Sequence, residues 1–254
     1  MVATVRVSGR CVGFRREDGD GPTLVCMHGA ADNHHAFDRL LNALSGVSAV
    51  AVDRPGRLES EGPPLESLGD QADFMQEFVE AEVEGPYVLA GHSLGGAVTI
   101  ELALRGGASQ LAGIVLLATG ARLRVHPTIL QLFERLAATG EPAGSSPGLT
   151  EGDADPDVVT ELEGNLRLTP SSTGLVDWRS ANQFDRLHEI SQISVPTLVV
   201  GGTADALTPP KYAEFMHTHI PNARLHLLEG AGHMFVMERA DAVAGFIRDF
   251  IVRL

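Results

Sequence analysis

The sequence is poor in cysteine, in lysine and in long apolar runs. Its 254 residues contain two cysteines, Cys11 and Cys26, and one lysine, Lys211. Two cysteines are too few for a disulfide framework, and no cysteine–histidine cluster has the spacing of a zinc site, so no metal site is expected. No apolar run reaches the roughly 18 residues that a transmembrane helix needs.

Positive charge is also scarce. Lysine and arginine together number 19 against 33 acidic residues, and the formal net charge is −14. Nucleic acid and anionic membrane surfaces repel a chain this acidic, so neither is an expected partner. The N-terminal segment MVATVRVSGR lacks the apolar stretch of a signal peptide, and the expected location is cytoplasmic.

Short apolar runs alternate with helical patterns along most of the chain. This alternation is typical of β-α-β units and predicts an α/β fold with a mainly parallel sheet. The predicted strands cover residues 2–7, 11–16, 23–27, 47–52, 87–90, 114–117, 197–200 and 224–228. The helices predicted between them and at the end of the chain cover residues 36–44, 68–83, 97–104 and 240–252.

The segment 120–193 departs from this rhythm. It contains no convincing strand, two helical patterns at residues 128–138 and 158–166, and a stretch rich in glycine, proline and serine at residues 140–152. Long segments without strands in compact α/β proteins are usually functional. We interpret this one as a helical cap inserted into the core. The core then consists of residues 1–119 and 194–254.

The segment GHSLG around Ser93 matches the pattern G-x-S-x-G. The match alone occurs often by chance, but this one lies between a predicted strand and a predicted helix. A serine there sits in a sharp turn that tolerates only small neighbours, with helix N–H groups beside it. Ser93 is therefore the predicted nucleophile. The alternative is a glycine-rich turn in which Ser93 only caps the helix.

A serine nucleophile needs a base, and the base needs an acid that orients it. His233 follows the last predicted strand in the segment EGAGH, whose glycines let the loop turn back over the strand ends. Asp205 follows the strand at residues 197–200, in the segment GGTAD. The alternatives are a surface histidine and an Asx-turn aspartate before Pro209.

These residues occur in the order Ser93, Asp205, His233, and several segments resemble loops of the α/β-hydrolase superfamily. The segment VCMHGA resembles its oxyanion loop, and DRPGRLES resembles its D-x-P-G-x-G-x-S loop, with Leu58 in place of the second glycine. The segments GTAD and GAGH resemble its acid and histidine loops. The resemblance implies a mostly parallel eight-stranded sheet flanked by helices, with an inserted helical cap.

The resemblance also implies an oxyanion hole formed by the backbone N–H groups of Ala30 and Leu94. Ser93 would attack a carbonyl carbon while His233 takes its proton, and water would then hydrolyse the acyl-enzyme. This mechanism needs no metal or organic cofactor. The expected partner is a small-molecule acyl substrate, and the expected state is a monomer or a homodimer.

The nucleophile narrows the reaction class. Haloalkane dehalogenases and epoxide hydrolases of this superfamily carry aspartate at the position of Ser93. Carboxylesterase, lactonase, thioesterase, cofactor-free perhydrolase and C–C bond hydrolase activities remain, as does a ligand-binding receptor that keeps the fold. Because few cationic residues stand out, we favour a carboxylesterase for esters of short to medium, uncharged acyl groups.

The candidates for the substrate pocket are apolar and aromatic side chains of the predicted cap, one residue of the predicted oxyanion loop and two residues that follow the predicted histidine loop. The alternative for all of them is ordinary core packing. The candidates are His28, Leu123, Ile129, Leu132, Phe133, Trp178, Met234 and Phe235.

Overall fold

The computed structural model describes residues 1–106, 110–144, 149 and 155–254. Eight strands of these residues form one sheet. In chain order they are β1 (Val2–Val7), β2 (Arg10–Glu17), β3 (Asp20–Met27), β4 (Val47–Val52), β5 (Tyr87–His92), β6 (Leu111–Leu117), β7 (Thr197–Gly202) and β8 (Ala223–Leu228). All eight overlap the strands predicted from the sequence.

The order of the strands across the sheet is β1-β2-β4-β3-β5-β6-β7-β8. Strand β2 is antiparallel to both of its neighbours, and the remaining pairs are parallel. This confirms the mostly parallel eight-stranded sheet. The strands β5 and β7, which each have a neighbour on both sides, are buried along their whole length, as expected when helices cover both faces.

Helices connect most of the parallel strands. In chain order they are α1 (Asp38–Ala43), α2 (Leu68–Glu82), α3 (Leu94–Leu104), α4 (Pro127–Thr139), α5 (Pro156–Arg167), α6 (Ser171–Gln183), α7 (Pro210–His219), α8 (Phe235–Glu238) and α9 (Ala240–Ile251). No helix in the described part of the chain is long and apolar enough to cross a membrane. Helix α3 begins directly after Ser93, three residues earlier than predicted.

Among the described residues, three helices, α4 to α6, lie between β6 and β7. The first two match the predicted helices, whereas α6 was not predicted. Its Gly174 packs so closely that a Cβ there would lie 2.6 Å from the Phe133 ring and 2.9 Å from Ala31. Tight packing on several sides, rather than one apolar stripe, therefore stabilises α6. Part of the glycine-rich stretch 140–152 lies outside the described residues, and the division into core and cap stays a prediction.

The parallel strands end at the same edge of the sheet. The loops after β3, β5, β7 and β8 therefore converge at this edge. They carry Ala30, Ser93, Asp205 and His233, respectively. Ligand sites of open α/β sheets form at this edge, outside the carboxyl ends of the strands.

Candidate active site

Ser93 occupies the sharp turn between β5 and α3. Its backbone φ is +53° and its ψ is −116°, a strained conformation for a residue with a side chain. The neighbouring glycines make the turn possible, because a Cβ on Gly91 would collide with the Gly95 backbone, and one on Gly95 with the Met27 backbone. The Thr119 hydroxyl donates a hydrogen bond to the Ser93 carbonyl at 2.7 Å. The close glycine packing and the Thr119 hydrogen bond therefore fix the conformation of the turn.

His233 and Asp205 form a buried pair. The distance between His233 Nδ1 and Asp205 Oδ2 is 2.9 Å. Thr208 donates to both carboxylate oxygens, from its hydroxyl to Oδ2 at 2.6 Å and from its backbone N–H to Oδ1 at 2.8 Å. Burial opposes ionisation of Asp205, but His233 and these hydrogen bonds outweigh it and hold the pKa of the carboxyl below its usual value. The carboxylate can therefore orient the imidazole.

Ser93 and His233 line the same small cavity, of about 10 Å³, together with Ala30, Trp178 and Met234. The two side chains are not hydrogen-bonded to each other in this structure. Such contacts are often loose without substrate.

A second cavity of about 30 Å³ also touches Ser93 and Trp178, and includes Leu123, Ile129 and Leu207. Ser93 and Trp178 thus belong to the walls of both spaces. Each cavity has room for about one water molecule. An acyl group can enter only if the surrounding side chains move apart.

Four of the eight pocket candidates line these cavities, namely Leu123, Ile129, Trp178 and Met234. The other four line neither of them, and are His28, Leu132, Phe133 and Phe235. His28 is buried, and its ring contacts the backbone N–H and the guanidinium of Arg54. Burial and the Arg54 charge lower the pKa of His28 well below its usual value. Its ring is thus part of the loop packing rather than of the cavity wall.

His92 is a cavity residue that the sequence did not single out. Its Nε2 donates to the His233 carbonyl oxygen at 3.0 Å, and the two rings are 4.9 Å apart at their centroids. Burial and the nearby His233 lower the pKa of His92 to about 3, so its ring is neutral near neutral pH. Its Nδ1 and the Nε1 of Trp178 are buried atoms without a hydrogen-bond partner. Both residues line the cavity beside Ser93.

The loop after β3 is fixed by a buried charge cluster. The Ala31 backbone N–H donates to Asp177 Oδ2 on α6 at 3.0 Å, and Arg57 Nη1 pairs with the same oxygen at 2.9 Å. Arg54 lies 3.5 Å from this carboxylate and donates to the Gly29 carbonyl at 2.7 Å. Burial disfavours the Asp177 charge, but the two guanidinium groups keep the pKa of this carboxyl below its usual value.

Asp32 is a second cavity residue that sequence reasoning missed. It is buried and lines the space beside Ser93. Burial raises the pKa of Asp32 to about 6, because a hydrogen bond from the Asn33 N–H and the nearby Arg57 compensate only partly. Titratable residues beside a possible nucleophile are common in functional sites.

One group of side chains, His34, His35 and Asp38, brings three possible metal-ligand atoms within 4.8 Å of one another. Both imidazoles already have carboxylate partners. His34 Nδ1 lies 2.6 Å from Asp53, and His35 Nδ1 lies 2.7 Å from Asp38. These contacts give both rings a structural role in the loop.

Comparison with known proteins agrees with this architecture. A pimeloyl-[acyl-carrier protein] methyl ester esterase of Neisseria meningitidis serogroup C is 31% identical over 247 residues, covering 90% of this chain and 93% of that protein. Among solved structures, an enol-lactonase from Burkholderia xenovorans LB400 has a TM-score of 0.84 at 22% identity, covering 98% of this chain and 100% of its own. A thermophilic esterase from Thermogutta terrifontis has a TM-score of 0.85 at 22% identity, covering 100% and 98%.

The two solved structures share the fold of this chain over nearly its whole length. The model of the alpha/beta hydrolase family matches residues 24–246. That match includes all four loops that converge at the carboxyl edge of the sheet. The chain therefore belongs to the alpha/beta hydrolase family.

Proposed function

We propose that this protein is a serine esterase, with Ser93 as nucleophile, His233 as general base and Asp205 as the acid that orients it. The observation that carries the proposal is the strained turn of Ser93 beside the cavity that His233 also lines. The 31% identical methyl ester esterase supports ester hydrolysis over the other reactions available to this fold. A carboxylate-bound imidazole is the base that a serine hydroxyl needs.

The oxyanion would be held by the backbone N–H groups of Ala30 and Leu94. Leu94 is the first residue of α3, where N–H groups lack partners within the helix, and Ala30 lines the cavity. The next N–H, that of Ala31, is already bound to Asp177. Donors aimed at the developing negative charge each contribute about 3 to 4 kcal/mol to catalysis.

The two cavities suggest where the two halves of the ester lie. His233 must protonate the leaving alcohol, and it lines the cavity of about 10 Å³. The 31% identical relative is a methyl ester esterase, so we expect a small alcohol such as methanol. The acyl chain then occupies the second cavity, where Leu123, Ile129 and Leu207 are suited to uncharged methylene groups of short to medium length.

Hydrolysis of a matched ester series tests the proposal. We expect the protein to hydrolyse p-nitrophenyl acetate, butyrate and octanoate. We also expect it to hydrolyse methyl esters faster than tert-butyl esters of the same acid. Ser93→Ala and His233→Ala should each remove nearly all of this activity, and Asp205→Asn much of it. Asp73→Asn, an exposed change far from the site in sequence, is the matched control for Asp205→Asn.

Two outcomes would contradict the proposal. If no ester of any chain length is hydrolysed in a Ser93-dependent way between about pH 6 and 9, the protein is a binding member of the fold or acts on another bond. If Asp205→Asn is as active as the wild type, another group orients His233. Parallel assays with lactones, thioesters and C–C diketones would identify the alternative hydrolytic reactions. An assay with added peroxide would identify perhydrolysis.

A further inference from the structure

A much larger cavity lies next to the proposed acyl site. Its volume is about 490 Å³, and its walls include Arg122, Arg124 and Lys211 together with Leu187, Tyr212 and Phe215. Cationic, apolar and aromatic side chains therefore line the same space. Such a combination can hold methylene groups and an anion at the same time.

Positive charge at this place stands out against the rest of the molecule, whose net charge is −14. Arg122 and Arg124 share a single carboxylate, that of Asp185, at 2.7 Å and 3.6 Å. Lys211 is exposed and forms no ion pair within the described residues; its Nζ lies 6.0 Å from the centre of the Tyr212 ring. Three cations against one carboxylate leave a local excess of positive charge for a ligand.

Arg124 connects this outer cavity to the inner one. Arg124 lines both spaces. Its neighbours in the chain divide between them, because Arg122 lines the outer cavity while Leu123 and Val125 line the cavity beside Ser93. The other side is built the same way, with Leu207 lining the inner space and Lys211 the outer one. A chain that starts at Ser93 and leaves the inner cavity past Arg124 therefore reaches the cations.

We propose that the outer cavity binds an anionic group, a carboxylate or a phosphate, at the far end of the acyl chain. This inference rests on the proposed esterase function and extends it. The acyl group is then uncharged only along the carbons next to the ester. The sequence suggested an uncharged acyl group because few cationic residues stand out in it. Only the fold brings Lys211 to the two arginines.

Methyl esters of equal chain length provide the test. One carries a carboxylate at its far end, one a phosphate and one a methyl group. We expect kcat/KM to be at least about tenfold higher for an anionic ester than for the neutral one. Lys211→Gln should lower this ratio about fivefold. Raising KCl from about 20 to about 500 mM should also reduce it, because salt screens exposed charges.

Arg224→Gln is the matched control, because it removes one exposed positive charge on β8, outside the cavity. It should leave the ratio unchanged. A wild-type ratio near one, or an equal loss in Arg224→Gln, would overturn the inference. The carboxylate and phosphate esters show which source of negative charge the site selects.

A binding measurement separates failure of the site from failure of the esterase proposal. Calorimetry of the Ser93→Ala protein with suberate and with octyl phosphate should show binding that weakens in the additional Lys211→Gln change. If esters are hydrolysed without anion preference and neither ligand binds, the anion site is wrong and the esterase proposal stands. If no ester is hydrolysed but binding depends on Lys211, the site stands and the esterase proposal is wrong.

Discussion

Asp177 on α6 accepts a hydrogen bond from the backbone N–H of Ala31 at 3.0 Å. Ala31 has a φ of +60° and directly follows the residue proposed as an oxyanion donor. The same carboxylate pairs with Arg57 at 2.9 Å, so a helix inserted between β6 and β7 holds a loop of the sheet in a strained conformation. The position of the loop that carries the proposed oxyanion donor therefore depends on α6.

Replacing Asp177 with asparagine should both destabilise the protein and slow its hydrolysis of esters. The guanidinium groups of Arg57 and Arg54 would remain buried without their carboxylate, which typically costs about 3 to 5 kcal/mol. Urea unfolding measures the loss of stability, and kcat/KM for p-nitrophenyl butyrate measures the loss of activity. Asp73→Asn, which removes an exposed pair with Arg105, should cost less than about 1 kcal/mol. Equal losses in both variants would show that the cluster has no special role.

Thr208 is predicted to be a positioning residue for the acid. Its hydroxyl donates to Asp205 Oδ2 at 2.6 Å and lies 3.4 Å from His233 Nδ1. Thr208→Val keeps the shape but removes a hydrogen bond to a charged group, so kcat/KM should fall about tenfold. Thr208→Ser should restore most of it. If serine is no better than valine, the methyl group matters through packing and the hydroxyl does not position Asp205.

Asp32 should make stability depend on pH. Its carboxyl has a pKa of about 6 in the folded protein and an ordinary value near 3.8 when unfolded, so the native state binds the proton more tightly. Stability therefore falls as the pH rises from about 4 to about 6, by up to about 3 kcal/mol from this group.

Asp32→Asn removes this dependence, and the variant should gain stability relative to the wild type across that pH range. Urea unfolding at about pH 4 and about pH 7 measures the difference. The exposed Asp73→Asn serves again as the control and should show no such gain. A constant difference between Asp32→Asn and the wild type at both pH values would contradict the assignment.

Leu58 is a further site of strain, with a φ of +45°. Left-handed backbone costs a non-glycine residue about 1 to 2 kcal/mol, whereas glycine loses more entropy on folding. Leu58→Gly should therefore stabilise the protein by about 0.5 to 1 kcal/mol, measured by thermal unfolding. The same change at Leu132, inside α4, should destabilise it. A loss of stability in Leu58→Gly would mean that packing of the leucine outweighs the strain.

The sequence indicated the sheet and the convergence of the four loops because both depend on local signals. Apolar runs mark the strands, and glycines mark the turns that follow them. Ser93 can be recognised as the candidate nucleophile for the same reason, because its turn needs Gly91 and Gly95 as neighbours. Each of these features is determined by a short stretch of sequence.

The parts that sequence reasoning missed depend on contacts between distant segments. Asp32 and His92 are ordinary polar residues until the fold buries them beside Ser93. Helix α6 lacks a clear apolar stripe because neighbours surround it on several sides, as the close approach of Gly174 to Phe133 shows. His28 belongs to the predicted oxyanion loop, yet its ring turns toward Arg54. Side-chain direction at a strand end cannot be read from the order of residues.

Trp178 belongs to the walls of both cavities beside Ser93. One side chain therefore influences the space proposed for the alcohol and the space proposed for the acyl chain together. A smaller residue here would admit larger groups on both sides, so selection for one new half of the substrate would also relax discrimination for the other. Changing one preference alone requires a residue that lines a single cavity, such as Met234 on the proposed alcohol side or Ile129 on the proposed acyl side.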